Sequence, residues 1–370
     1  MAIRRYAIAL GTILALTPLG AQVRNRGQAF QQTMDEPPVP PDPLELVTGN
    51  AQPVEDVSHR AEIIDLLTNA RRHSNVRAQP YDLKTTFTAM RSAASDGIWQ
   101  LEDMSRGGSY RWTAQGPNYS IVNLYSNRIL FSSQTQLSLP LRLTQVREAI
   151  FFAGPMLGPR ASLRTATGNL NGVALACSLI SHGPRSTPGN GGRRWDEAEY
   201  CVDPNAGTLI TYSPAPGLYV LYDYSSGLRF HDKLIANKFT ITEAGETIVE
   251  AHTESVADPP NNPAALQTAG LNQIGVGPMM TGAWRYRIAM PASVSATGGA
   301  APMVVLQAMQ SPDGRLSEVE VLASSDASLN SAALAYASKW QGGMMGAPEP
   351  GATPQSHAVL MTLENFHSGQ

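Results

Sequence analysis

At 370 residues, 42% of them hydrophobic and 15% charged, the chain is long enough for two globular domains with sizeable cores and too apolar to be a highly charged disordered polymer. A formal net charge of −3, with no run of Lys or Arg, excludes nucleic acid and an anionic membrane surface as expected partners.

Arg4 and Arg5 precede the apolar run YAIALGTILALTPLGA, which closes on small residues before Gln22. Residues 1–21 therefore read as a signal peptide cut after Ala21. The run is roughly 14–16 residues and Pro18 interrupts it, short of the ~20 that span a bilayer, so a retained anchor is the weaker alternative. Cleavage removes two arginines, leaving 25 − 30 = −5, and predicts a periplasmic or secreted protein. Residues 22–57 hold DEPPVPPDP, whose prolines forbid helix and central strand, and read as an extended Pro-rich linker.

A helix is expected from Ser58, with Ile63, Ile64, Leu66, Leu67 and Ala70 apolar and Arg71 and Arg72 at its cation-favouring C-terminal end. Short segments rich in aromatic and β-branched residues follow, from YDLKTTFTA to RILFSSQ. A second helix, TQVREAIFFAG, interrupts them. Strands resume from VALACSLIS to ETIVEAHTESV, with Glu243-Ala244-Gly245-Glu246 as a hairpin turn. Residues 58–258 thus predict a helix-led antiparallel sheet that meanders and curls. Residues 259–283, opening on DPPNNPAALQTAG, read as a second linker. Cys177 and Cys201, 24 residues apart in strand-like text, predict a disulfide in an exported chain; no CxxC or Cys/His cluster supports a catalytic thiol or a metal ligand.

No motif predicts an enzyme. The G-x-S-x-G elbow, Walker A, HExxH and EF-hand patterns are absent, and Gly189-Asn190-Gly191-Gly192 lacks the Lys-Ser/Thr and helix of a phosphate loop. The seven histidines are scattered, so no metal, cofactor or catalytic residue is assigned. Asp56, Glu62 and Asp65 read as solvated helix charges rather than an acid/base pair. Trp99, Trp112 and Tyr125 offer faces for stacking a sugar or base, but cross-strand packing is the plainer reading.

From Met303 the text runs MVVLQAMQ, SPDG, RLSEVEVL, SSDASLNSAALAYASKW and HAVLMTLENF. This predicts strand, turn at Asp313-Gly314, strand, helix and strand, with Leu329, Ala333, Tyr336, Ala337 and Trp340 on one helix face. Residues 284–370 thereby form a small α+β module. Through Asp313, Gly314, Val319, Val321, Ser324, Leu329, Ala333, Leu334, Trp340 and Phe366 it resembles the C-terminal domain of TonB-type energy transducers, although Gln341–Gly346 departs from that pattern. The resemblance implies a partner in the envelope or outer membrane, bound by strand addition on an edge strand made of Ala358, Val359, Leu360, Met361, Leu363 and Phe366. The opening helix, the strand series and the CVDPNAGTLI hairpin before LYDYS resemble the half-barrels of LolA and LolB lipoprotein carriers. That resemblance implies a lipid or other apolar ligand, with Phe151, Phe152, Met156 and Leu157 as candidate lining; that these residues simply fill the core is the plainer reading. The expected fold class is α+β: a half-barrel-like domain followed by a TonB-C-like one.

Overall fold

The computed structural model describes residues 37–41, 46–47, 50–151, 154, 161–181, 192–262, 266–278, 282–289, 302–341 and 355–364. The first elements are strand β1 (Gln52–Pro53) and helix α1 (Val57–Ser74). Five strands follow: β2 (Tyr81–Ala89), β3 (Gly97–Arg106), β4 (Ser109–Gln115), β5 (Ser120–Ser126) and β6 (Ile129–Ser132). Helix α2 (Leu141–Phe151) precedes β7 (Ser162–Leu170), β8 (Val173–Ser181), β9 (Ala198–Asp203), β10 (Thr208–Ala215) and β11 (Leu218–Asp223). A two-stranded ribbon, β12 (Leu228–Phe230) and β13 (Lys233–Ile235), leads to β14 (Lys238–Glu243) and the long β15 (Glu246–Ala257). The last elements are β16 (Asn272–Val276), β17 (Trp284–Ala289), β18 (Met303–Gln310), β19 (Leu316–Ser324), α3 (Asn330–Ala337) and β20 (His357–Glu364).

Fourteen strands form one open antiparallel sheet in the order β1-β7-β8-β9-β10-β11-β14-β15-β2-β3-β4-β5-β6-β16. Alternation builds it: along β2, Tyr81, Leu83, Thr85, Phe87 and Ala89 are buried while Lys84 is exposed. Inward residues from β3 to β5, such as Trp99, Trp112 and Ile121, share one core with Ile180 of β8 and Tyr200 of β9. Ile63, Leu67 and Ala70 of α1 and Leu143 and Val146 of α2 fill the space between them, so the sheet wraps around both helices. Asp56 caps α1 by accepting from the His59 amide at 2.7 Å, which gives that carboxylate a structural task.

The Pro-rich segment is in part laid along the sheet. Trp195 donates its Nε1–H to the Pro37 carbonyl at 2.7 Å, Asn169 donates to Leu46 at 2.9 Å, and β1 pairs with β7. At Gly168 a Cβ would come within 2.7 Å of the Leu46 carbonyl and 2.8 Å of Cys177 Sγ, so only glycine lets the segment approach this closely. Beneath it, Cys177 of β8 and Cys201 of β9 stand directly opposite and form the expected disulfide, buried with Leu175 on the face away from the helices. Replacing both cysteines by alanine is expected to cost about 3 kcal/mol, because the crosslink closes a loop of that size in the unfolded chain. Urea unfolding of the double variant checks this; an unchanged midpoint would refute it. Asn272–Val276, inside the segment read as a second linker, is an edge strand paired with β6.

The C-terminal residues form a four-stranded sheet in the order β17-β20-β18-β19. One face, Val304, Leu306, Ala308, Val359, Met361 and Leu363, packs on Leu329, Ala333 and Ala337 of α3 and its preceding turn, with Tyr336 and Trp340 half-buried beside them. This is the helix face expected from sequence. The other face, including Met303, Val305, Met309, Ala358 and Leu360, joins the core of the large sheet. Both faces of β18 and β20 are therefore covered.

The expected edge strand is corrected by this arrangement. Ala358, Val359, Leu360, Met361 and Leu363 lie in β20, which pairs in parallel with β17 on one side and antiparallel with β18 on the other. Their N–H and C=O groups are already used, and none offers an edge; Phe366 lies outside the described residues. Position at the end of a chain says nothing about position in a sheet.

Candidate functional site

The candidate site lies on the helix-bearing face of the large sheet, where the C-terminal ends of α1 and α2 meet it. Ser74, Asn75 and Val76 follow α1 on one side, and Ala149 and Ile150 of α2 stand on the other. The floor is Leu209 of β10, Tyr222 of β11 and Phe239 of β14, with Leu83 of β2 and Ile235 of β13 closing the cleft. The lining is mainly apolar, and the Tyr222 hydroxyl is satisfied by donating to the Ala149 carbonyl at 2.8 Å. The cleft holds about 40 Å³, room for water but not for an acyl chain.

Phe151, the candidate lining residue that is described, is next to this cleft but not in it. It is buried with Val76, Tyr81, Leu83, Phe230 and Ile235, and the Arg77 guanidinium covers its ring at 4.1 Å. Phe152, Met156 and Leu157 lie outside the described residues. The cleft residues that sequence reading missed, Tyr222 and Phe239, sit in ordinary strand text; only the curl of the sheet brings them under α2.

A polar cluster borders the apolar interior. Asp103 of β3 accepts from the Tyr81 hydroxyl at 2.6 Å and pairs with Arg147 of α2 at 3.3 Å. Arg147 also lies over the Trp112 ring at 3.8 Å, so its buried charge meets a carboxylate and a π-face. Further along α2, Glu148 accepts from Tyr212 at 3.0 Å, and burial pushes the carboxyl up despite that bond. These groups anchor α2 to the sheet and have no nucleophile–base geometry.

The other residues singled out from sequence are not brought together. Trp99 stacks on Phe87 at 5.6 Å and is buried with Trp112, while Tyr125 stacks on Tyr110 at 5.2 Å, so the aromatic trio is packing. Among the described residues the only cluster with metal-ligand spacing is Cys177, Glu199 and Cys201, whose two sulfurs are already joined to each other. No helix among the described residues is long and apolar enough to cross a membrane.

No family profile and no curated protein matches this chain. Among solved structures it is similar to a LolA superfamily protein from Nitrosomonas europaea, at 9% identity over 55% of this chain and 96% of that one, with a TM-score of 0.38. It is also similar to a DUF1329 family protein from Desulfovibrio piger, at 9% identity over 55% of this chain and 97% of that one, TM-score 0.33. The Pseudomonas aeruginosa MucA/MucB complex matches at 12% identity over 69% of this chain and 82% of that one, TM-score 0.26. None of these structures bears on the TonB-type resemblance, and likeness at this level assigns no family.

Proposed function

We propose that this is an exported, non-enzymatic envelope protein that holds a lipid or another apolar ligand against the helix-bearing face of its curled sheet. The observation that carries the reading is the apolar cleft between the ends of α1 and α2. A signal-peptide-like N-terminus and a buried disulfide agree with an oxidising compartment. The cleft as it stands admits only water, so ligand entry requires the ends of the two helices to part. Partner binding by strand addition loses the strand on which it rested, because β20 is paired on both sides.

Native mass spectrometry of protein isolated from the periplasm, followed by organic extraction, is the direct test, with fluorescent fatty-acid titration of delipidated protein beside it. The expected result is an extractable apolar ligand and saturable binding. Ile150→Asp, which sets a charge at a half-buried position of the lining, is expected to weaken binding at least tenfold, about 1.4 kcal/mol, without altering the far-UV spectrum. Protein that carries no ligand and binds no probe would refute the reading.

A further inference from the structure

Where β19 of the four-stranded sheet meets α2, one buried arginine stands among three acids. Arg142 of α2 is 1% exposed and grips two carboxylates at once. Its Nη2 reaches Glu320 of β19 at 2.7 and 2.8 Å, and its Nη1 reaches Glu243, the last residue of β14, at 2.8 Å. Gln145, one turn along α2, accepts from Arg142 at 3.1 Å and donates to Glu243 at 2.5 Å and to Gln307 of β18 at 2.9 Å. A third carboxylate, Glu318, stands in the left-handed region at φ 50° in an irregular stretch of β19. It accepts from the Leu141 amide at the start of α2 at 3.1 Å and from Ser92, in the β2–β3 connection, at 3.3 Å.

Three elements of the large sheet's body thus hold on to β18 and β19 through one arginine and three acids. Glu243 and Glu320 are both held against one guanidinium, and two full negative charges on a single buried cation favour keeping a proton on Glu243. Of the other charges around this junction, Arg91 and Glu246 pair with each other at the surface, and Arg285 of β17 donates to the Pro214 carbonyl and offsets the Glu148 carboxyl of α2. We propose that Arg142, Glu243 and Glu320 form a proton-dependent latch that holds the C-terminal sheet on the body of the protein.

The direction follows from linkage. Burial, then the neighbouring Glu320 carboxyl, pushes the Glu243 carboxyl up from 4.5 to about 8, against the opposing pull of Arg142. The latched state therefore binds one more proton than the unlatched state between these two values. Its stabilisation is complete below 4.5 and is lost as the pH rises through about 8. Glu318, also pushed up by burial, adds in the same direction.

Hydrogen exchange on the full chain tests the latch, with protection factors corrected for intrinsic rates at about pH 6 and about pH 9. In the wild type, protection across Met303–Gln310 and His357–Glu364 is expected to fall at least tenfold between the two, with β2 to β5 unchanged. Glu243→Gln, an isostere of the protonated acid, is expected to fold normally and to remove most of the pH dependence, leaving the part due to Glu318; Glu320→Gln, which takes one negative charge off the arginine, is expected to reduce it likewise. The proposal is overturned by pH-independent protection in the wild type, by an equal fall in β2 to β5, by unchanged pH dependence in both variants, or by failure of both to fold.

Discussion

Arg142→Ala is expected to cost about 3–5 kcal/mol of stability, because it removes the cation shared by the Glu320 carboxylate and the Glu243 carboxyl and leaves both without their partner. Arg142 is among the largest fully buried side chains of the chain, and its guanidinium carries hydrogen bonds to Glu320 and Gln145 as well as the ion pair with Glu243. Much of the loss is the cost of orphaned acid rather than the worth of the ion pair. A triple variant with Glu243→Leu and Glu320→Met added to Arg142→Met is accordingly expected to recover most of it, since an apolar cluster of similar volume needs no counter-charge. Urea denaturation of the variants at neutral pH decides the matter. A loss below about 1 kcal/mol for Arg142→Ala would show that water already reaches the site.

Trp112→Ala is expected to be equally severe, about 3–5 kcal/mol, for an apolar reason. The ring is fully buried at 0% exposure, and its removal opens a cavity beneath α2 while stripping the cover from Arg147. The indole N–H makes no hydrogen bond among the described residues, so Trp112→Phe keeps most of the packing and forfeits no polar contact. It is expected to cost less than about 1.5 kcal/mol. Calorimetry on both variants separates the contributions; similar losses for Phe and Ala would mean that the N–H is satisfied by a buried water.

The charged face of β19 shows why part of this architecture escaped the sequence. The segment SEVEV alternates, and such a pattern ordinarily sets one face in a core and the other in water. Val319 and Val321 do pack toward α3. Glu318 and Glu320, however, turn toward the body of the protein and meet α2. A glutamate destined for solvent and one destined for a buried arginine look the same in one dimension, because the partner stands 178 residues away. Gly217 makes the same point from the backbone. It lies in the β10–β11 turn, where an added Cβ would stand 1.9 Å from the Leu322 carbonyl, so it lets that turn touch the C-terminal sheet. Nothing in the text around Pro216-Gly217 distinguishes this contact from an ordinary turn.

By itself the sequence determined the local structure: the helix that opens at Ser58 and ends near Arg72, the strand-rich middle, the helix face of Leu329, Ala333 and Ala337, and a cysteine pair suited to crosslinking adjacent strands. These follow from the periods of the two regular structures and from the few residues able to cap or turn them, which act over a handful of positions. Only the tertiary structure decided that β20 is central rather than an edge, that Tyr222 and Phe239 line a cleft with α2, and that Arg142, Glu243 and Glu320 share one buried site. Each of those facts depends on which distant segments become neighbours. That choice is made by burial summed over the whole molecule, for which no short stretch of the chain carries a signal.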